Sequence, residues 1–167
     1  MNKVNKELRN KAVSLGLCDT WQKKWMKDKT PQQLIDMYKK GIDFCLESNY
    51  PDNKFIKENF TKDILSKNNM FVDEDFYVLN PENDCVILGE SQGKLIFDGY
   101  AVRDIYINGN ADVEIEASDF AKIFVNVYDD AQVVVTQKKN SVIHVYKHGT
   151  GEVLSVGNVT INRKYND

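Results

Sequence analysis

The sequence predicts an α+β fold, an N-terminal helical module followed by a short parallel β-solenoid, and three observations carry that reading. From Cys85 onward apolar residues recur in pairs two positions apart, at a dominant interval of ten residues. In the central run a small residue stands two positions before each pair: Ala111, Ala121, Ala131, Ser141 and Gly151. Before Met70 the apolar spacing is instead three and four, the period of helices. The chain therefore divides into a helical module at 1–70 and a β-solenoid domain at 71–167.

In the first element Val4, Leu8 and Ala12 fall four apart, and Gly16 supplies a stop. Asp19 or Thr20 then serves as the cap of a short second helix whose Trp21 and Trp25 share a face. These tryptophans are candidates for packing or for a partner platform. The TPQQ stretch is the clearest helix start: Thr30 caps, Pro31 takes the first helical position, and Gln33 reaches back to the cap. The helix it opens carries Leu34, Tyr38, Ile42 and Cys45 on one face and runs toward Pro51. Phe55, Ile56 and Phe60, then Ile64 and Leu65 behind a Thr61 cap, read as two more helical turns. The helical module leads directly into the first coil through FVDEDFYVLNPEND and is expected to cover that end of the solenoid.

Nine apolar pairs follow, from Cys85/Ile87 to Val159/Ile161, with turn formers such as Asp98-Gly99, Asn108-Gly109-Asn110 and Asp129-Asp130 between them. An antiparallel β-sandwich or barrel is the alternative fold, because it too needs frequent turns. Only stacked parallel coils, however, place equivalent positions over one another about 4.8 Å apart, so that a cramped level repeatedly demands Ala, Ser or Gly. Each ten-residue unit is one face of a coil. Two faces per coil stack Ala121 with Ser141; three faces pair residues thirty apart.

The units NADVEIEASD, FAKIFVNVYD, DAQVVVTQKK and NSVIHVYKHG resemble the ten-residue "DNAxVxVx" β-solenoid repeats of uncharacterised bacterial and bacteriophage proteins. The segment LCDTWQKKW…LIDMYKKGIDFC is similar to the leading module of short proteins of unknown function from gut Bacteroides and their phages. The resemblance implies the fold and a phage-related setting, and it brings no catalytic residues. Departures from the repeat are an insertion around Val102 to Asp104 and a degraded coil after Gly149, with the charged NRKYND end reading as a stop.

Charge separates the two parts. Residues 1–70 hold 14 Lys and Arg against 9 Asp and Glu, a net of +5, whereas residues 71–167 hold 8 against 16, a net of −8. The N-terminus has no signal-like apolar run and no membrane-length segment is present, so a cytoplasmic location is expected. Cys18, Cys45 and Cys85 are scattered and odd in number, which fits reduced thiols.

Catalytic chemistry is thinly represented. His144 and His148 are the only histidines and do not share a strand face, so neither a metal site nor any other cofactor is expected. Asp112, Glu114 and Glu116 share an outward strand face, an acidic surface without a base, nucleophile or arginine beside it. The chain is therefore read as a non-enzyme. Parity turns Phe124, Val134, Val142, His144 and Tyr146 outward, with Tyr106 and Tyr128 in reserve, as a candidate apolar and aromatic patch. Together with Trp21 and Trp25 these are the candidate binding residues.

The expectation is a non-catalytic protein-binding or assembly module, with a protein partner or a homo-oligomer as its associate. A phage-type inhibitor that offers its acidic solenoid to a nucleic-acid-binding or defence protein of the host is the alternative. A carbohydrate-active β-helix is a second alternative, resting on fold analogy. Direct nucleic-acid binding is not expected, because the basic residues of the first part are interspersed with acids.

Overall fold

The computed structural model describes residues 1–163, so the Lys164–Asp167 part of the expected stop lies outside the described residues. The chain forms two compact units, Met1–Ile64 and Leu65–Asp167, a division slightly earlier than the expected one at residue 70.

Six helices precede the strands: α1 (Lys3–Ser14), α2 (Asp19–Lys24), α3 (Pro31–Lys40), α4 (Ile42–Glu47), α5 (Asn53–Asn59) and α6 (Lys62–Lys67). Asn2 caps α1 by accepting from the Asn5 amide, and Gly16 ends it at φ +93°. Thr30, Pro31 and Gln33 form the full capping box at the start of α3. Two expectations are corrected. The N-cap of α2 is Cys18, without a side-chain cap, and both Asp19 and Thr20 lie inside the helix. The long helix expected from Pro31 breaks at Gly41 into α3 and α4, although Leu34, Tyr38, Ile42 and Cys45 all remain buried. Glycine's backbone freedom outweighs helix propagation at that point.

The second unit is a parallel solenoid with two faces per coil. Its strands are β1 (Met70–Val72), β2 (Asp75–Leu79), β3 (Cys85–Gly89), β4 (Gln92–Phe97), β5 (Val102–Gly109), β6 (Asp112–Ala117), β7 (Lys122–Val127), β8 (Gln132–Gln137), β9 (Val142–Lys147), β10 (Glu152–Val156) and β11 (Val159–Arg163). Odd-numbered strands stack into one sheet, β1-β3-β5-β7-β9-β11, and even-numbered strands into the other, β10-β8-β6-β4-β2. Every pairing is parallel, which excludes the sandwich and barrel alternative. Each coil runs out along one sheet and back along the other.

Register explains the sequence pattern. Cys85, Ile105, Val125, Val145 and Ile161 form one inward column of the odd sheet, and Leu95, Ile115, Val135 and Ser155 one inward column of the even sheet. Two faces per coil put Gly151 over Ala131, and the small-residue level extends back to Ser91, which is fully buried. The Ser141 hydroxyl donates to the Lys138 and Ala117 carbonyl oxygens, so the tight corner is also hydrogen-bonded.

Val102 to Asp104 are not an insertion. They pair in register with Lys122 to Phe124, and Arg103 occupies the level of Ile123 while its Nε donates to the Pro81 carbonyl oxygen at 2.9 Å. A polar side chain in an apolar slot imitates a break in the repeat. The segment before Cys85 is itself the first coil, since β1 and β2 pair with β3 and β4. Phe76 and Phe71 stack there at 4.5 Å, and Gly93 leaves the space that the Phe76 ring occupies.

Candidate assembly surface

The outward residues of the solenoid lie in columns, each repeating every second strand. On the odd sheet Asp104, Phe124, His144 and Thr160 form one column, and Tyr106, Asn126, Tyr146 and Asn162 the next. Phe124 and His144 stack with ring centroids 5.6 Å apart and planes 9° from parallel. Val142 stands beside them and is exposed. Phe124, Val142, His144 and Tyr146 therefore share the outer face of the odd sheet, because β7 and β9 are neighbours in it.

Val134 does not join them. It lies on the even sheet, between Glu114 and Leu154, so the expected single patch is divided between opposite faces. Parity distinguishes inward from outward but carries no information about which of two outer faces a strand supplies. Tyr128 is buried, because its ring stacks on His148 at 4.3 Å and 4° in the corner after β7. His148 in turn contacts the Asn126 Oδ1 through Nε2 at 3.2 Å.

The tryptophans also separate. Trp25 is only 5% exposed and its Nε1 donates to Asn5 Oδ1 at 3.1 Å, which makes it a core residue rather than a platform. Trp21 is half-buried, carries the Lys24 ammonium 5.1 Å from its ring centre, and lines an open groove of about 510 Å³ with Lys29, Asp36 and Lys40.

Two of the three carboxylates of the acidic surface are paired with lysines. Asp112, Glu114 and Glu116 do share the outward face of β6. Lys94, one strand away, reaches Glu114 at 3.4 Å and Glu116 at 3.6 Å, and Lys138 reaches Glu116 at 2.6 Å from the other side. Lys139 pairs with Asp119 at 2.5 Å. The Lys138 hydrogen bond holds the Glu116 carboxyl below its ordinary range, the reverse of the tuning a general acid needs. Among the described residues no group of three His, Cys, Asp or Glu is gathered for a metal ion, and no helix is long and apolar enough to cross a membrane.

Sequence reasoning missed the most exposed apolar residues. Leu154 is 64% exposed and Val156 59%, on the outward side of β10, while Ile161 of β11 is 40% exposed although it occupies an inward column. Among the described residues β10 pairs only with β8, and β11 only with β9, so two strand edges lie beside this apolar group. The signal was present in VLSV, where the outward positions are apolar and an inward one is serine. A second missed feature is the exposed Tyr100–Phe120 stack, 5.2 Å between ring centres, in the corners after β4 and β6. Comparison of the chain with protein-family models, curated proteins and solved structures gave no match.

Proposed function

We propose that this chain is a non-catalytic assembly and protein-binding module that works through the end and outer face of its solenoid. One observation carries the reading: the last coil presents Leu154, Val156 and Ile161 to solvent on strands whose outer edges pair with nothing among the described residues. Apolar side chains beside open backbone edges gain both burial and hydrogen bonds when another chain adds to them. The lysines that engage Glu114, Glu116 and Asp119 favour this reading over an inhibitor that displays bare carboxylate rows.

The test compares the purified chain with a Leu154→Asp, Val156→Asp double variant by light-scattering mass over a range of concentrations, and by affinity capture. Association of the parent chain that the exposed-site variant loses is the expected result. A parent chain that stays at single-chain mass and holds no partner overturns the proposal.

A further inference from the structure

The helical unit carries a groove that its own packing leaves open. α3 buries Leu34, Ile35 and Tyr38, whereas Gln33, Asp36, Met37 and Lys40, spaced three and four apart, share another side of the helix. With Trp21 and Lys24 of α2 and Lys29 of the turn between the helices, these side chains line the open groove of about 510 Å³. Every lining residue lies within the Met1–Ile64 unit.

The polar groups of the groove are mostly donors. Three ammonium groups line it against one carboxylate, and Lys24, Lys29 and Lys40 make no ion pair among the described residues. Gln33 Oε1 accepts from the Thr30 amide at 3.0 Å, which leaves its Nε2 as the end available to a ligand. One Asp36 oxygen accepts from Gln32 Nε2 at 2.9 Å. Trp21 and Met37 supply the apolar part of the lining, and the Lys24 ammonium is held 5.1 Å from the centre of the Trp21 ring.

Such a lining takes an anion that also carries apolar bulk, and distance narrows the choice. Lys29 precedes α3 and Lys40 lies in its last turn, so cations stand toward both ends of this side. Gln33 and Lys40 are about 10 Å apart along the helix, with Asp36 and Met37 between them. A mononucleotide concentrates its charge at one end. A nucleic-acid strand places phosphates along its whole length and has no backbone N–H for the Asp36 carboxylate.

We infer that the groove docks an extended acidic segment of a partner protein, whose two carboxylates, three residues apart, meet Lys29 and Lys40 while an apolar side chain between them packs on Trp21 and Met37. Three extended residues span about 10 Å, the required length. The segment's backbone supplies an N–H for Asp36 and a carbonyl oxygen for Gln33 Nε2. This site uses no residue of the solenoid surface, so it goes beyond the assembly reading and is tested apart from it.

The experiment titrates the full chain calorimetrically with the peptide acetyl-Ser-Glu-Leu-Phe-Glu-Ser-amide and with the same peptide carrying Gln at both Glu positions. At low ionic strength the acidic probe should bind about tenfold tighter or more. Lys29→Glu and Lys40→Glu should each weaken its binding by about tenfold or more. The chain with both reversals should prefer the peptide carrying Lys at both Glu positions, a switch that loss of folding cannot produce. Circular dichroism verifies that each variant keeps the parent fold. No binding of the acidic probe up to about 1 mM, equal binding of the acidic and Gln probes, or indifference to the reversals overturns the inference. Tighter binding of adenosine diphosphate or of a thymidine oligonucleotide than of the acidic peptide overturns it as well. The Leu154→Asp, Val156→Asp variant should bind the acidic probe as the parent chain does, which keeps failure of this site distinguishable from failure of the assembly reading.

Discussion

Gly151 lies so close over Ala131 that a β-carbon at position 151 would overlap the Ala131 carbonyl oxygen. Gly149 meets the Asp129 backbone in the same way, so the corner between β9 and β10 settles onto the coil beneath it with backbone against backbone. Gly151→Ala should therefore lower stability by about 1–3 kcal/mol, because the clash can be relieved only by separating paired strands. Gly99 supplies the control. It has φ +62° and open space around its Cα, so Gly99→Asn should stay within about 0.5 kcal/mol of the parent. Thermal or urea unfolding of the two variants checks the contrast.

That corner also shows how far the sequence could be read. The succession Ala111, Ala131, Gly151 was visible in the letters and correctly called for parallel stacking, because only vertical superposition imposes the same size limit every twenty residues. The first coil was hidden because its strands are offset from the next by 16 and 17 positions rather than twenty. Arg103 hid another slot, since hydropathy cannot tell a satisfied guanidinium in a core column from an inserted loop. The surface was less legible than the core. Inward or outward is a property of one strand, whereas Val134 and Phe124 part company through the path of the whole coil. Exposure at the last coil depends on which neighbour a strand lacks, and the reversed alternation of VLSV is its only local trace.

Acid should act on the lysine ladder and on Asp104 with opposite signs. Glu116 is held below its ordinary range first by the Lys138 hydrogen bond, and Asp119 first by that of Lys139. A depressed carboxyl contributes stability above its unfolded pKa, and that contribution is lost as pH falls through the folded value. Stability should thus decline below about pH 4, and the decline should be shallower in a Glu116→Gln, Asp119→Asn variant. Asp104 is raised instead, first by burial and then by Asp84, so its ionised form burdens the folded state above the carboxylate range. Asp104→Asn should stabilise at neutral pH and lose that advantage in acid. Unfolding curves collected from pH 3 to 7 separate the two effects.

The three thiols should react in two classes. Cys18 is exposed, whereas Cys45 and Cys85 are buried. Desolvation pushes the Cys45 thiol up to about 12, which leaves almost no thiolate to attack a reagent at neutral pH. An aromatic disulfide reagent added to the native chain should therefore titrate one thiol quickly, and all three only in denaturant. Fast reaction of a second thiol would mean that the helical unit or the first coils open far more readily than their packing implies.

Asn5 organises the start of the helical unit although nothing in its neighbourhood of charged residues marks it in the sequence. It is 1% exposed, and its Oδ1 accepts from Trp25 Nε1 at 3.1 Å and from the Lys29 amide at 2.9 Å. Its Nδ2 donates to the Lys29 carbonyl oxygen at 3.0 Å. One amide thus ties α1 to the end of α2 and to the turn before α3. Asn5→Leu would strip the partner from a buried indole N–H and from both backbone groups of Lys29, at a cost of about 1–3 kcal/mol for each group left buried and unsatisfied. Asn5→Asp keeps an acceptor for Trp25 but loses the donor to Lys29, so it should fall between the parent and the leucine variant. Tryptophan fluorescence followed through urea unfolding tests the order: an Asn5→Leu chain as stable as the parent would show that apolar packing, rather than this amide, holds the three segments together.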